Sequence, residues 1–405
     1  MRSASARVGA GVLVGFVVGA VATLALQGEG REAAVRGGHP DLPGPASDAT
    51  EPVAIPESPG TFLAWTPGGL PPGLVDGIAR LGIVRRSVVV ESDVAWLTRS
   101  FASSGEVVDD PPDGYAIPLE VAAVDPRSYA WFLPPVDRGV IAELADGFGV
   151  LGRSSAELRG LGPGATLRFG GTDVRISAVL PDELVGANEV LVSRTTAARL
   201  GVSHDRYALI QPRGRPSRRT LERALRRLLP RGLPIQVRAP GETPYLRQGD
   251  AVLPEVKLKQ LFGEFAAAPD AGRPGYLRID PAWERTHIAT ERVPILGRVT
   301  CNVAIFPQLR GALRELVRRG LRDTIHSYAG CFAPRYANRD PTAGISHHAW
   351  GVAVDVNVPE NPYGAPPRQD PRLVRVFERW GFVWGGRFIV PDGMHFEYRR
   401  PPERG

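Results

Sequence analysis

The sequence predicts an α+β protein with two folded regions behind an N-terminal apolar segment. The chain has 405 residues, enough for two domains, and its 43% hydrophobic content is ordinary for a globular protein. A stretch rich in Pro, Gly, Ala and Glu, residues 28–60, separates the apolar segment from the rest and is expected to be a disordered linker. Beyond it, short alternating apolar stretches, typical of strands, are interspersed with amphipathic helical patterns.

Residues 1–27 are predicted to be a signal anchor or a signal peptide. Arg2 and Arg7 precede a charge-free run of 19 residues, Val8 to Leu26. That length approaches the roughly 20 residues that span a bilayer and favours an uncleaved transmembrane helix. The alternative is cleavage at the small residues Ala20-Val21-Ala22. The basic residues stay inside, so we expect a single-pass cell-membrane protein with extracytoplasmic C-terminal domains, or a secreted protein if the signal is cleaved.

Charge and cysteine content agree with an exported protein. The formal net charge of +6 comes mostly from arginine. It suits anionic polymers, but a GC-rich coding bias explains it as simply, and nucleic-acid binding contradicts the export signal, so we expect none. Cys301 and Cys331 can form a disulfide in an oxidising compartment, closing a loop worth about 3–4 kcal/mol; two buried free thiols are the alternative.

Residues 61–238 are predicted to form an α+β domain, a mixed α/β extracytoplasmic unit of unknown role. Gly170-Gly171 joins two alternating stretches as a hairpin turn, and 217–232 carries a helical apolar face. No nucleotide loop, metal cluster or paired catalytic set is evident in this region. The stretch 161–202 is similar to the extracytoplasmic domain of certain membrane-complex permeases. That similarity implies at most a binding or positioning role, with a protein partner.

Residues 239–405 are predicted to hold the chemistry. Asp370 and Pro371 open one amphipathic helix, and an earlier one contains Pro307. In "GVAVDVNV", 351–358, valines at every second position indicate a strand with one face on a core. Its other face carries Asp355.

Two histidines and two carboxylates accompany that strand. His348 lies seven residues before Asp355, while "PDGMHFE" brings Asp392 and His395 on a later strand. A catalytic zinc takes three ligands from His, Asp and Glu and leaves one position for water, whose pKa falls from 15.7 toward about 7. His348, Asp355 and His395 supply such a set, with Asp392 as the candidate general base and Arg335 as the cation near the scissile carbonyl.

The combined motif resembles the D-alanyl-D-alanine carboxypeptidase and L-alanyl-D-glutamate endopeptidase family of zinc peptidases, which have the hedgehog-type zinc peptidase fold. The family pattern Ser-x-His-x-x-Gly-x-Ala-x-Asp, then Trp-Gly-Gly, then Asp-x-x-His-Phe-Glu, falls on Ser346 to Asp355, on Trp384 to Gly386, and on Asp392 to Glu397. The resemblance covers about Cys301 to Tyr398. It departs at Phe388, where many members have Trp, and in the context of the upstream arginine.

The resemblance implies that Zn²⁺ binds His348, Asp355 and His395, that Asp392 is the general base, and that an arginine contacts substrate. Arg335 matches that arginine, and Arg339 competes with it. The substrate implied is a peptidoglycan stem peptide, cut at D-Ala-D-Ala or at L-Ala-D-Glu; a catalytically silent module that binds wall peptide or a partner is the alternative function. The remaining expectations are that Ser346 and Trp384 contact substrate, that Trp350 walls the cleft, that His347 points elsewhere, and that Glu397 either orients a ligand or forms a surface salt bridge.

Overall fold

A computed structural model describes residues 60–399, except 243–246, 248 and 250–252. The predicted anchor and linker therefore lie outside the described residues. Within the described part, no helix combines the length and the apolar character needed to cross a membrane. The α+β class predicted from the sequence is confirmed.

The first region is built on a ten-stranded mixed sheet in the order β10-β1-β9-β2-β4-β8-β5-β7-β6-β3. Its strands are β1 Phe62–Trp65, β2 Val84–Leu97, β3 Arg99–Phe101, β4 Ile117–Val124, β5 Phe148–Gly152, β6 Thr166–Phe169, β7 Thr172–Leu180, β8 Val190–Ser193, β9 Asp205–Pro212 and β10 Gln236–Arg238. Its helices are α1 Leu74–Arg80, α2 Pro126–Ala130, α3 Arg138–Ala142, α4 Arg153–Arg159, α5 Arg194–Leu200 and α6 Arg218–Arg226. Most pairs are antiparallel, whereas β4–β8 and β5–β7 are parallel.

Local sequence signals account for much of this region. β6 and β7 form the hairpin predicted around Gly170-Gly171. Helix α6 begins where Ser217 caps the backbone N–H of Thr220, but it ends at Arg226 rather than near residue 232. Pro230 explains the early end, because it has no N–H to bond back to the carbonyl of Arg226 and it disfavours helical geometry at the residue before it.

The second region has a four-stranded antiparallel sheet in the order β15-β16-β18-β17, together with two small hairpins. Its strands are β11 Ala267–Pro269, β12 Leu277–Ile279, β13 Ile288–Val293, β14 Gly297–Asn302, β15 Tyr328–Gly330, β16 Ala353–Val356, β17 Phe382–Trp384 and β18 His395–Tyr398. Its helices are α7 Glu255–Phe262, α8 Pro281–His287, α9 Phe306–Arg318 and α10 Pro371–Arg379.

The core of this region lies on one face of the four-stranded sheet. Val354 and Val356 of β16 are fully buried there, alongside Phe396 of β18 and apolar side chains of α9 and α10. The strand is shorter than the valine pattern predicts. Asn357 adopts a left-handed conformation with φ of 57° and ends the strand, because its side chain bonds the backbone at residues 324 and 326.

Buried charges join the two regions. Lys259 of α7 is fully buried and its Nζ contacts Glu189 at 2.5 Å and Glu264 at 3.2 Å. Arg159 of α4 contacts the same two carboxylates, at 2.9 and 2.5 Å. Arg159 also lies 3.6 Å from Asp109, and these ion pairs fix α7 against the larger sheet.

Candidate metal centre

Sheet register brings two of the candidate ligands together. β16 and β18 pair antiparallel with Asp355 directly opposite His395. Side chains of directly opposed residues project to the same face with Cβ atoms about 4.5–5.5 Å apart. A carboxylate and an imidazole therefore converge on the polar face, while the valines pack underneath.

His348 reaches the same point from a short 3-10 turn, His347–Trp350, that precedes β16. Ser346 caps the turn by accepting a hydrogen bond from the backbone N–H of His348 at 3.4 Å. Gly351 ends it with φ of 67°, and a Cβ there would lie 2.7 Å from the backbone nitrogen of Asn302. Only glycine fits this reversal, which returns the chain into the strand directly after the histidine.

One nitrogen of each histidine lies close to the Asp355 carboxylate, and the two histidines face different oxygens of it. His348 Nε2 lies 3.2 Å from Asp355 Oδ2 and 3.3 Å from His395 Nδ1, and His395 Nδ1 lies 3.2 Å from Asp355 Oδ1. A tetrahedral zinc with bonds of about 2.0–2.1 Å places its ligands about 3.3–3.4 Å apart. The donor set and its spacing fit zinc.

Hydrogen bonds at the far side of each imidazole fix which nitrogen faces the centre. His348 Nδ1 lies 2.8 Å from the carbonyl oxygen of Cys331, and His395 Nε2 lies 3.1 Å from Glu397 Oε2. When these nitrogens donate, the lone pairs of His348 Nε2 and His395 Nδ1 point at each other and at a carboxylate. Three electron-pair donors this close require a cation between them.

The pKa shifts of the cluster also favour positive charge between these groups. Burial opposes the charged form of His395, but the hydrogen bonds and charges of Asp355 and Glu397 outweigh it and raise the pKa of His395 to about 10. Burial likewise opposes ionisation of Asp355, yet the two ligand histidines hold its pKa well below the ordinary value. The pKa of Glu397 is also lowered, because His347 and His395 outweigh its burial.

His347 and Glu397 lie behind the ligands. His347 Nδ1 is 2.9 Å from Glu397 Oε2, and His347 is not among the three residues whose ligand atoms converge. Glu397 is 4% exposed, and therefore it orients a ligand rather than forming a surface salt bridge.

The disulfide supports His348. Cys301, in β14, is bonded to Cys331, and both cysteines are buried. The bond therefore holds in place the carbonyl group that accepts from His348.

Asp392 lines the cavity beside the centre. Its Oδ1 is buried and has no hydrogen-bond partner within the described chain. Burial raises the pKa of Asp392, with Asp355 adding to the effect while His395, His348 and Arg335 oppose it. A carboxylate so placed can accept a proton from a group bound in the cavity.

That cavity has a volume of about 390 Å³, within the usual range for small-molecule sites. It is lined by the three ligands, Asp392, Ser346 and Arg335. Arg339 instead lies over the ring of Tyr276, 5.7 Å from its centroid, and is exposed. The structure thus brings Arg335, and not Arg339, to the site.

The two tryptophans lie elsewhere. Trp350 is fully buried, donates to the carbonyl of Gly263 and packs on Phe265, so it belongs to the core rather than the cleft wall. Trp384 does not line the cavity: its Nε1 donates to the carbonyl of Gly393 at 2.8 Å, which shapes the turn that holds Asp392. Phe388, where many family members have Trp, does line the cavity, with its ring centroid 6.3 Å from that of His395.

Three further lining residues come from outside the motif. Glu120 belongs to β4 of the large sheet, Arg247 follows β10, and Glu255 begins α7. No sequence signal linked them to the site, because they lie more than ninety positions before Ser346 and share no pattern with it. A separate cavity of about 350 Å³, lined by residues such as His326 and Glu360, contains none of the three ligands.

Residues 339–398 match the family model described as D-alanyl-D-alanine carboxypeptidase. This part of the chain is therefore similar to that peptidase family. The matched residues include the three candidate ligands and Asp392, but they make up a small part of the chain, and Cys331, Arg335 and Glu255 lie outside them. No curated protein matches the chain significantly.

Several solved structures share a distant likeness. The periplasmic region of MacB from Actinobacillus actinomycetemcomitans is 10% identical with a TM-score of 0.30, covering 45% of this chain and 89% of its own. The extracellular domain of the noncanonic ABC-type transporter YknZ from Gram-positive bacteria is 15% identical with a TM-score of 0.29, over 44% and 99%. A domain of a putative permease from Porphyromonas gingivalis is 16% identical with a TM-score of 0.27, over 50% and 95%. These scores carry no argument about function.

Proposed function

We propose that this chain is a zinc-dependent peptidase that cleaves peptidoglycan stem peptides, of the D-Ala-D-Ala carboxypeptidase type. One observation carries the proposal: three electron-pair donors at zinc spacing share a cavity with Asp392, whose Oδ1 has no hydrogen-bond partner within the described residues. The similarity of residues 339–398 to a D-alanyl-D-alanine carboxypeptidase family supports it.

The bound metal, Asp392 and Arg335 would have different roles in the reaction. Bound zinc would lower the pKa of water toward about 7 and polarise the scissile carbonyl. Asp392 would take the proton from the attacking water at its free Oδ1 and pass it to the departing amine. Arg335 lines the same cavity and can hold an anionic group of the peptide, such as a terminal carboxylate.

Asp392→Asn tests the proposal because it keeps the shape of the side chain and removes the base. The full-length variant should retain about one zinc per chain, while hydrolysis of a peptide ending in D-Ala-D-Ala falls by roughly 10²–10⁴-fold. Asp370→Asn, on the N-cap of α10 outside the cavity, is the matched control. A fully active Asp392→Asn would overturn the mechanism. Wild-type protein that binds peptide but leaves it uncut would instead indicate the silent wall-peptide module.

The location follows from the N-terminal sequence, and we propose a cell-membrane protein whose folded regions lie outside the cytoplasm. Val8 to Leu26 would anchor it, with membrane and peptidoglycan as its partners and no nucleic acid. Residues 61–238 are proposed to bind a protein partner. Protease added to intact cells should degrade the folded regions; protection until lysis would contradict this location.

A further inference from the structure

Glu255 is a buried carboxylate in the cavity wall that lacks a full set of partners. The residue is 5% exposed, and its Oε2 has no hydrogen-bond partner within the described chain. Within the described residues, its Oε1 accepts one long hydrogen bond, 3.3 Å, from the backbone N–H of Ile345. Ile345 adjoins Ser346, so the carboxylate lies beside the motif that carries the metal ligand His348.

Among the described residues, the cations nearest to Glu255 are already paired with other carboxylates. Arg247 is engaged by Glu120, at 2.7 and 2.6 Å. Lys259, one helical turn beyond Glu255 on α7, is already surrounded by Glu189 and Glu264. Within the described chain Glu255 forms no ion pair, so this end of the cavity has one carboxylate in excess.

Burying a carboxylate oxygen without a hydrogen-bond partner costs free energy, and a ligand that donates a hydrogen bond to it removes part of that cost. Burial, and then the charge of Glu120, raise the pKa of Glu255 to about 8. A ligand cation beside Glu255 would favour its ionised form and would make the ion pair that the described residues do not supply. A primary ammonium group offers both the charge and up to three N–H donors on a compact head group.

We propose that Glu255 determines specificity by binding a primary amino group of the substrate, of the kind that a lysine or other diamino acid side chain carries. This inference rests on the proposed function, because it assigns the amine to a peptide held at the metal centre. It extends the site beyond the motif, since Glu255 and its neighbour Glu120 both lie outside the matched residues 339–398.

The test compares two peptides on the full-length, zinc-loaded protein. Both end in D-Ala-D-Ala; one carries a free lysine amine at its third residue and the other is acetylated at that nitrogen. Wild type should prefer the free amine by about tenfold in kcat/KM, chiefly through KM, as expected for one charge-assisted hydrogen bond. Glu255→Gln should bring the ratio close to one, because the amide has the same shape and no charge. Glu157→Gln, on the exposed surface of α4, should keep the wild-type ratio.

The outcomes separate this inference from the proposed function. Cleavage of both peptides with a ratio near one in wild type, or a ratio that Glu255→Gln leaves unchanged, overturns the role of Glu255 and leaves the peptidase standing. If wild type cleaves neither peptide, the proposed function fails, and calorimetric binding of the same two peptides decides the matter. Tighter binding of the free amine that is lost in Glu255→Gln then supports the amine site, and equal binding overturns it.

Discussion

Replacing Glu255 by glutamine also tests the charge state of this carboxylate, independently of any substrate. Its pKa is raised from an ordinary 4.5 to about 8, first by burial and then by the charge of Glu120. Glu189 adds to the effect, while Lys259 and the N–H of Ile345 oppose it. Because the folded state holds this proton more tightly, its contribution to stability is fully present below about pH 4.5 and is lost as pH rises to about 8.

The size of the effect follows from that shift. Each pKa unit corresponds to about 1.4 kcal/mol, so the upper limit is about 5 kcal/mol between pH 4.5 and pH 8. Water entering the open cavity screens the charge, and we expect about 1–3 kcal/mol. Glu255→Gln has no proton to release, so its stability relative to wild type should rise with pH by that amount and level off above pH 8.

Urea unfolding of the metal-free proteins at pH 5, 7 and 9 measures this difference. All other titrating groups are common to both proteins and cancel. At pH 5 both side chains are neutral, and the two stabilities should agree within about 1 kcal/mol. Glu157→Gln, on the exposed surface of α4, should show a difference that does not change with pH. A Glu255→Gln difference that is equally flat from pH 5 to pH 9 would refute the reasoning.

Three other predictions follow from the metal centre. Zinc at a thousandfold excess over its Kd should stabilise the metal-free protein by about 4 kcal/mol in thermal unfolding, and His348→Ala should remove most of that gain; an equal gain in the variant would contradict the ligand assignment. Replacing Cys301 and Cys331 by alanine should cost about 3–4 kcal/mol and weaken zinc binding about tenfold in a chelator competition, because the carbonyl of Cys331 orients His348. Unchanged zinc affinity would show that the carbonyl of Cys331 orients His348 without help from the disulfide. Trp384→Phe removes the hydrogen bond to Gly393 and should lower kcat several-fold with zinc content intact, whereas an unchanged kcat would separate Trp384 from catalysis.

The candidate metal ligands could be predicted from the sequence because their signal is local. Alternating valines identify the buried face of β16, and the opposite face then has to carry Asp355. His348 and His395 lie within short motifs whose spacing the chain keeps intact. The register of β16 against β18 places Asp355 opposite His395. The motif does not determine this pairing, which depends on how the two strands meet in the folded protein.

The tryptophans show where local reasoning fails. Trp384 was expected to contact substrate because it stands in a motif near the site. Its ring instead covers Gly386, where a Cβ would lie 2.2 Å away, and its Nε1 donates to Gly393. Sequence position near a site does not reveal on which side of the backbone a large ring packs. Trp350, the last residue of the 3-10 turn, is fully buried in the core.

The sequence also did not predict that residues of the first region line the cavity. Buried ion pairs such as those of Lys259 add little net stability, because desolvation offsets the attraction. They do fix geometry: Lys259 binds Glu189 and the carbonyl of Pro118, both in the large-sheet region, and Glu255 lies on the same face of α7 one turn earlier. The first region therefore determines the direction in which Glu255 points. The catalytic residues would lie in the motif of residues 346–397, whereas the preference for one peptide over another would depend on how the large sheet holds α7. Catalysis and substrate preference could therefore be altered separately by mutation.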